Sequence, residues 1–168
     1  MDITVLFHTS NLNPRTQVHV EELRKRGHDV QVVCWNRAGA EIVESDRTLL
    51  GPTTRTGSLW SVIAAPVAQL AILRHLLRSE TDVIYCSHVS LLPPAIIAKM
   101  ITGTPVVYDV QEFHRENYQE WYPKLAAILD FIEKVFVGHV DGILVIDTKE
   151  DEYYERYARF QPNIARIY

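Results

Sequence analysis

The amino-acid sequence predicts an open, doubly wound and mainly parallel α/β sheet of about six or seven strands with helices on both faces. Three observations predict this fold class. Short apolar runs rich in β-branched residues recur along the chain, as in strands that are buried on both faces. Between them lie segments whose apolar residues have helical spacing. The two kinds of segment alternate, which is typical of a parallel sheet.

The first half of the chain contains the first two predicted strands, Ile3–Phe7 and Val30–Trp35. Between them, an apolar stripe from Thr16 to Gly27 predicts an amphipathic helix. Basic residues fill its last turn, and Gly27 can adopt the left-handed conformation that ends a helix. The polar residues 36–58 are interrupted by glycine and proline, with one short strand expected near Thr48–Leu50. A helix is expected from about residue 58 or 61 to 78, with Pro66 either kinking it or opening its main part.

The second half of the chain repeats this alternation. The predicted strands are Asp82–Cys86, Pro105–Val110, Gly142–Ile146 and one more starting near Asn163. The predicted helices are Leu91–Ile101, Pro123–Gly138 and a segment that opens on a capping box at Thr148 and ends near Phe160. Because no repeat, low-complexity segment or linker interrupts the pattern, residues 1–168 are expected to form one domain.

Composition excludes several classes of protein. The chain has 168 residues, of which 47% are apolar, so a disordered chain is excluded. Its net charge of −4 argues against a nucleic-acid binder. Residues 1–78 carry nine basic and seven acidic groups, whereas residues 79–168 carry eight and fourteen. Cys34 and Cys86 form no disulfide framework or zinc motif, and the first residues lack a signal-peptide pattern. We expect a cytoplasmic protein with neither a metal ion nor a cofactor.

Candidate site residues follow the predicted strands, because ligands bind open parallel sheets at the carboxyl ends of their strands. His8, His88 and His114 lie in such segments, and each either contacts a ligand or is an ordinary loop histidine. The other four histidines lie on helices or just before strands, which favours a surface or core role.

The loop after the first strand, HTSNLNPRTQ, contains no glycine. A dinucleotide site of the usual kind is therefore not expected there. Asn11, Asn13 and Arg15 can instead offer donors to an anion at the helix N-terminus. The alternative is structural: Asn13-Pro14 makes a turn and Thr16 caps the helix.

Three segments together resemble a known family. They are RGHDVQVV after the first helix, DVIYCSHVSLLPPAIIAKMITGTPVVYDVQEFHREN in the centre, and DGILVIDTKEDEYYERY near the end. Their order and spacing are similar to the amino-terminal domain of glycosyltransferase family 4, whose enzymes have the GT-B fold. This resemblance spans essentially all 168 residues and implies a Rossmann-like domain, one half of a GT-B enzyme.

The resemblance also implies roles for individual residues. In such enzymes this domain contributes mainly to the acceptor site, and a carboxy-terminal domain binds the nucleotide-sugar donor. The family's tyrosine–aspartate–x–histidine–glutamate motif corresponds to 108–112, so that Gln111 stands where the histidine faces the donor sugar. Glu112 is then expected to bind a hydroxyl, or alternatively to cap the following helix. The expected substrate-binding residues, with no catalytic residue assigned, are Asn13, Arg15, His88, Gln111 and Glu112.

Three departures from the family pattern affect this cleft. Gln111 cannot titrate near neutral pH, His88-Val89 replaces a family His-Asp pair, and a glycine pair is missing after the first strand. The donor domain's glutamate motif also has no counterpart in the chain. The chain alone is therefore expected to be inactive and to bind nucleotide-sugars in the millimolar range or not at all.

Three functions remain open at this point. The first is the acceptor-side half of a retaining glycosyltransferase that transfers a sugar to a glycan or lipid-linked acceptor. The second is a non-catalytic sugar- or partner-binding module, or a subunit of a split glycosyltransferase. The third is a nucleotide-sugar epimerase, which shares the GT-B architecture.

The helix predicted at 59–78 is more apolar than one sheet-facing stripe requires, and Arg74, His75 and Arg78 lie at its end. Arg47 and Arg55 precede it. An apolar helix bordered by cations predicts peripheral contact with an anionic bilayer, which would place the protein at the inner face of the membrane. Alternatively, the helix packs between the sheet and a neighbouring helix.

Overall fold

In the part of the chain that the structure describes, seven parallel strands form one central sheet. The computed structural model describes residues 1–10, 12–37, 47–54, 59–111, 120–146 and 164–167. The strands are β1 Asp2–Phe7, β2 Asp29–Arg37, β3 Arg47–Thr54, β4 Val83–Cys86, β5 Val106–Val110, β6 Gly142–Ile146 and β7 Ile164–Ile167. The predicted parallel α/β class is confirmed.

The strand order is β3-β2-β1-β4-β5-β6-β7. From β1 the chain builds the sheet in one direction as far as β3, and it then returns to β4 and builds in the other direction. Ile3 of β1 is paired with Val30 of β2 on one side and with Val83 of β4 on the other. The direction of winding reverses between β1 and β4, and ligands bind open sheets at such a reversal.

The described helices are α1 Pro14–Lys25, α2 Leu59–Leu76, α3 Leu92–Thr102 and α4 Pro123–Phe136. Two single 3-10 turns, Val89–Leu91 and Val137–His139, adjoin α3 and α4. The helix predicted from Thr148 to about Phe160 lies outside the described residues. No helix in the described ranges is both long and apolar enough to cross a bilayer.

Apolar side chains are buried on both faces of the sheet. On one face, Val20 of α1 packs in a cluster with Val5 and Val32 of the strands. On the other face, α2, α3 and α4 contribute a larger cluster that includes Ile72 and Leu129. Since successive strand residues point to opposite faces, burial on both faces explains why the strands are continuous apolar runs.

The helix ends follow from local chemistry. Asn13 is the N-cap of α1, because its side chain accepts the backbone N–H of Thr16 at 2.8 Å. The expectation that Thr16 caps this helix is therefore wrong. Gly103 ends α3 with φ +78°, a conformation that costs a glycine little.

Strand β3 is longer than the short strand expected near Thr48–Leu50, since it continues through Gly51 and Pro52. Proline is tolerated because β3 lies at the edge of the sheet. Gly51 has φ +80°, and a Cβ placed there would lie 2.8 Å from the Cβ of Ala68 in α2. The glycine thus permits close packing of β3 against α2, and Pro66 lies inside that helix without ending it.

Candidate functional site

The central strands β1, β4 and β5 end at one edge of the sheet, which we call the carboxyl edge. His8 follows β1, His88 follows β4 and Gln111 follows β5. The N-terminus of α1, with Asn13 and Arg15, meets the same edge. The fold therefore places four of the five predicted site residues at one edge, and the fifth, Glu112, lies outside the described residues.

A buried carboxylate organises this edge. Asp109 of β5 is fully buried and accepts hydrogen bonds from Arg15 Nη2 at 2.5 Å and from the Tyr85 hydroxyl at 2.7 Å. A buried charge is tolerated only where it is paired and hydrogen-bonded. Asp109 therefore positions Arg15, and its own oxygens are occupied by protein donors.

Arg15 has a buried nitrogen that its contact with Asp109 does not use. Its side chain is 22% exposed, yet its Nη1 atom is buried and has no hydrogen-bond partner in the described part of the chain. Because a guanidinium offers five N–H donors in a fixed planar fork, the salt bridge through Nη2 also fixes the direction of Nη1. The structure thus provides an oriented cationic donor at the N-terminus of α1.

Gln111 joins the loop after β5 to the start of α1. Its Oε1 accepts from Asn13 Nδ2 at 2.5 Å, and its Nε2 donates to Thr16 Oγ1 at 2.7 Å. A longer contact of 3.4 Å leads to Asp109. Both ends of the Gln111 amide are therefore engaged by the protein, so a ligand hydroxyl must replace an existing hydrogen bond to reach it.

His19 and Tyr85 extend the Asp109 network into the core. Tyr85 donates its proton to Asp109, so the 2.6 Å contact between His19 Nδ1 and the tyrosine oxygen requires a proton on Nδ1. Burial lowers the pKa of His19 despite the opposing charge of Asp109, while Arg15 adds to the lowering. Burial, together with Asp109, raises the pKa of Tyr85. Both side chains are neutral near pH 7 and hold Asp109 in place, so His19 has a structural role, within the surface or core role expected for it.

His88 forms a second cluster on the carboxyl edge. Its ring stacks on that of His8, with centroids 3.8 Å apart. Its Nδ1 accepts the backbone N–H of Ser90 at 3.1 Å and lies 2.8 Å from the Ser90 hydroxyl. A neutral His88 therefore carries its proton on Nε2, because the backbone N–H can only donate. The structure gives His88 a capping role in the 3-10 turn and a fixed tautomer.

The described part of the site offers polar recognition and contains neither a reactive thiol nor a metal cluster. Burial raises the pKa of the Cys86 thiol to about 12, so this side chain is not a thiolate near neutral pH. Among the described residues, no group of three or more His, Cys, Asp or Glu side chains is placed to hold a metal ion. The edge can bind hydroxyl or anionic groups through Arg15 and orient them.

Neither the organising role of Asp109 nor Tyr85 was predicted from the sequence. The signal that could have revealed Asp109 is the family motif, in which the aspartate of 108–112 comes directly before the last buried strand residue. An acidic residue inside an apolar strand is costly unless it is paired. Its partner Arg15 lies 94 residues away in sequence, so only the folded chain shows the pair.

Solved structures of several glycosyltransferases share this fold. Sucrose-phosphate synthase from Thermosynechococcus elongatus matches 99% of this chain with a TM-score of 0.73 and 14% identity, and the match covers 47% of that protein's chain. Arabidopsis thaliana UGT89C1, solved with UDP-L-rhamnose, matches 99% of this chain and 51% of its own, with a TM-score of 0.53 and 11% identity. Acinetobacter baumannii MurG matches 87% of this chain and 41% of its own, with a TM-score of 0.51 and 11% identity.

These structures establish the fold as half of a GT-B arrangement, since the chain spans about half the length of each. No curated protein sequence shows a significant match. A family profile described as a glycosyl transferase 4-like domain matches residues 12–168. Because that match covers nearly the whole chain, the protein belongs to the glycosyl transferase 4-like family.

Proposed function

We propose that residues 1–168 form the acceptor-side half of a retaining glycosyltransferase that transfers a sugar from a nucleotide-sugar to a glycan or lipid-linked acceptor. Membership of the family supports the reaction class. The single observation that carries the acceptor-side role is the oriented Arg15 guanidinium, with its buried Nη1 atom. Such a donor recognises a hydroxyl or an acidic group of an acceptor and holds it for transfer.

Electrostatics support an acceptor of this kind. The ion pair with Asp109 offsets much of the charge of Arg15 but leaves its N–H donors, which favours a hydroxyl. The start of α1 adds the positive end of a helix dipole, which also favours an acidic group. In this proposal the nucleotide-sugar is bound by a second domain of the complete protein, across a cleft that faces the carboxyl edge. The site is proposed to work in the cytoplasm.

The test is a titration of the isotope-labelled chain followed by NMR. Candidate acceptor glycans are expected to shift the signals of Asn13, Arg15 and His88, whereas UDP- and GDP-sugars bind in the millimolar range or not at all. Arg15→Gln is expected to weaken glycan binding by about 10-fold, the effect of one charged hydrogen bond. Arg26→Gln is the matched control, because Arg26 lies at the other end of α1 and is exposed.

Two outcomes would contradict the assignment. Micromolar binding of a nucleotide-sugar to the Arg15 edge would make this domain the donor side. Glycan binding that Arg15→Gln leaves unchanged would remove Arg15 from the site. In the complete protein, retention at the anomeric carbon of the product, observed by NMR, tests the stereochemistry.

A second candidate function is a non-catalytic glycan-binding module. Gln111 favours it, because an amide cannot titrate near neutral pH and both of its ends are already bonded to Asn13 and Thr16. This candidate predicts glycan binding at the same edge with no transfer by the complete protein.

A further inference from the structure

The outer surface of α2 and α3 is apolar and open to solvent. On α2, Trp60 is 59% exposed, Ile63 59%, Val67 56% and Leu70 66%. These side chains repeat at steps of three and four residues, so they form one stripe along the helix. Helix α2 does pack between the sheet and α3, as the alternative expected. This stripe, however, is not covered by any part of the chain that the structure describes.

Helix α3 continues the same surface. It contacts α2 and covers the same face of the sheet. Met100 and Ile101 near its end are 77% and 64% exposed. Scattered exposed apolar residues are normal, whereas a continuous apolar stripe along one helix, with more exposed apolar residues on the adjacent helix, is typical of a binding surface. We call these exposed residues of α2 and α3 the apolar outer surface.

Cations border the apolar outer surface. Arg74 continues the α2 stripe and Arg78 follows the helix, and both are exposed. Neither forms an ion pair with another described residue. Leu59–Leu76 and Leu92–Thr102 contain no Asp or Glu at all, although the whole chain has a net charge of −4. The positive charge is thus concentrated beside exposed apolar side chains.

We propose that the apolar outer surface docks onto an anionic lipid bilayer, with α2 lying in the plane of the membrane. Helices that combine tryptophan and aliphatic side chains on one side with bordering arginines bind at the headgroup boundary. Each cation near an anionic leaflet adds to this attraction. Trp60 at the beginning of α2 suits the interface, where amphipathic rings concentrate.

The charges also argue against a second copy of this chain as the partner that binds the apolar outer surface. A two-fold contact presents the same surface from both copies. Because neither α2 nor α3 carries an acidic residue, the same two helices of a second copy would offer no carboxylate to Arg74 or Arg78. Anionic headgroups supply the missing negative charge.

Docking has a consequence for the carboxyl edge. Because α2 follows β3, its first turn lies at the end of the sheet where the strands finish. A membrane-bound α2 therefore holds the Arg15 edge close to the bilayer, which favours a lipid-linked acceptor. Docking itself does not depend on transfer, but this consequence rests on the proposed function.

The experiment is sedimentation of residues 1–168 with vesicles. Binding is expected to vesicles that contain phosphatidylglycerol and not to those of phosphatidylcholine alone, and it weakens as salt screens the charges. The double variant Arg74→Glu and Arg78→Glu is expected to lower binding at least ~10-fold. The double variant Lys25→Glu and Arg26→Glu changes the net charge equally on α1, across the sheet, and is expected to bind as the unmodified chain does.

Fluorescence tests the orientation. Trp35 is buried and Trp121 is exposed, so a Trp121→Phe background reports on Trp60. Its emission is expected to shift to the blue on anionic vesicles, and Leu70→Gln is expected to reduce both the shift and the binding.

The proposal is overturned if the domain stays in the supernatant with anionic vesicles at low salt. It is equally overturned if the Arg74 and Arg78 variant binds as tightly as the control, or if light scattering shows a dimer that Leu70→Gln dissociates. Thermal unfolding at the temperature of the unmodified chain confirms that each variant is folded, since every substituted side chain is exposed.

Discussion

Helices α1 and α2 cover opposite faces of the same sheet but present different surfaces to solvent. The outer side of α1 carries charged residues, among them Glu21, Glu22 and Lys25. The outer side of α2 carries Trp60 and Leu70, both more than half exposed. Both helices bury an apolar stripe against the strands.

The difference shows which part of the α2 sequence the fold requires. Helix α1 covers the sheet with a single buried stripe and a charged exterior, which is the ordinary arrangement in a soluble domain. The second apolar side of α2 therefore adds nothing to the core. We propose that this second apolar side serves for binding. Helix α1 contributes to the candidate site in a different way, through the buried contact of Arg15 with Asp109 at the carboxyl edge.

The largest expected effect is a loss of stability when the contact between Asp109 and Arg15 of α1 is removed. Asp109→Ala leaves Arg15 without its carboxylate and the Tyr85 hydroxyl without its acceptor. Breaking a buried pair costs about 3 to 5 kcal/mol of unfolding free energy, measurable by urea denaturation. Hydrogen exchange is expected to quicken more in α1 than in α2.

The control for that variant is Glu22→Ala, which removes a partner from the exposed Arg26–Glu22 pair. A surface pair contributes about 0 to 1 kcal/mol, so little change is expected. Equal losses in the two variants would show that Asp109 does not anchor α1.

The next effect compares two isoleucines of α2. Ile72 is 1% exposed and Ile63 is 59% exposed. Ile72→Ala is expected to lower the unfolding free energy by about 3 kcal/mol through lost burial and a cavity. Ile63→Ala is expected to change it by less than about 0.5 kcal/mol while weakening vesicle binding. A similar loss of stability in both variants would show that Ile63 contributes to the core, and would contradict the view that the outer stripe of α2 does not.

The smallest expected effect is the pH dependence of stability that comes from His19 of α1. Burial lowers the pKa of His19 in the folded protein, so the unfolded chain binds the proton more readily. The stability contributed by neutral His19 is thus complete above the unfolded pKa, near 6.5, and declines as pH falls below it. His19→Asn keeps an N–H donor toward Tyr85 but cannot titrate.

Urea denaturation at pH 7.5 and pH 5.5 measures this effect. The unmodified chain is expected to lose more stability on acidification than His19→Asn does. An identical loss in both would mean that the protonation of His19 does not contribute to the acid dependence.

Most of the fold was predictable because its signals are local. Apolar runs gave β1, β2, β4, β5 and β6 nearly to the residue, and helical spacing gave α1, α3 and α4. Strand β3 was less predictable, since Gly51 and Pro52 are typical loop residues and proline is tolerated in a strand only at the edge of a sheet or at a bulge. Its length depends on contact with β2 and α2, which no short window of sequence contains.

The sequence by itself determined the parallel α/β class, the family and the segments that end at the carboxyl edge. These depend on residue periodicity and strand order, which are properties of the chain alone. Only the tertiary structure decided that Arg15 meets Asp109 and that Gln111 is bound by Asn13 and Thr16. It also decided which apolar side chains of α2 are left in solvent. The physical reason is that these contacts join residues far apart in sequence. The distances between such residues, and the exposure of each side chain of α2, are set by strand register and helix packing.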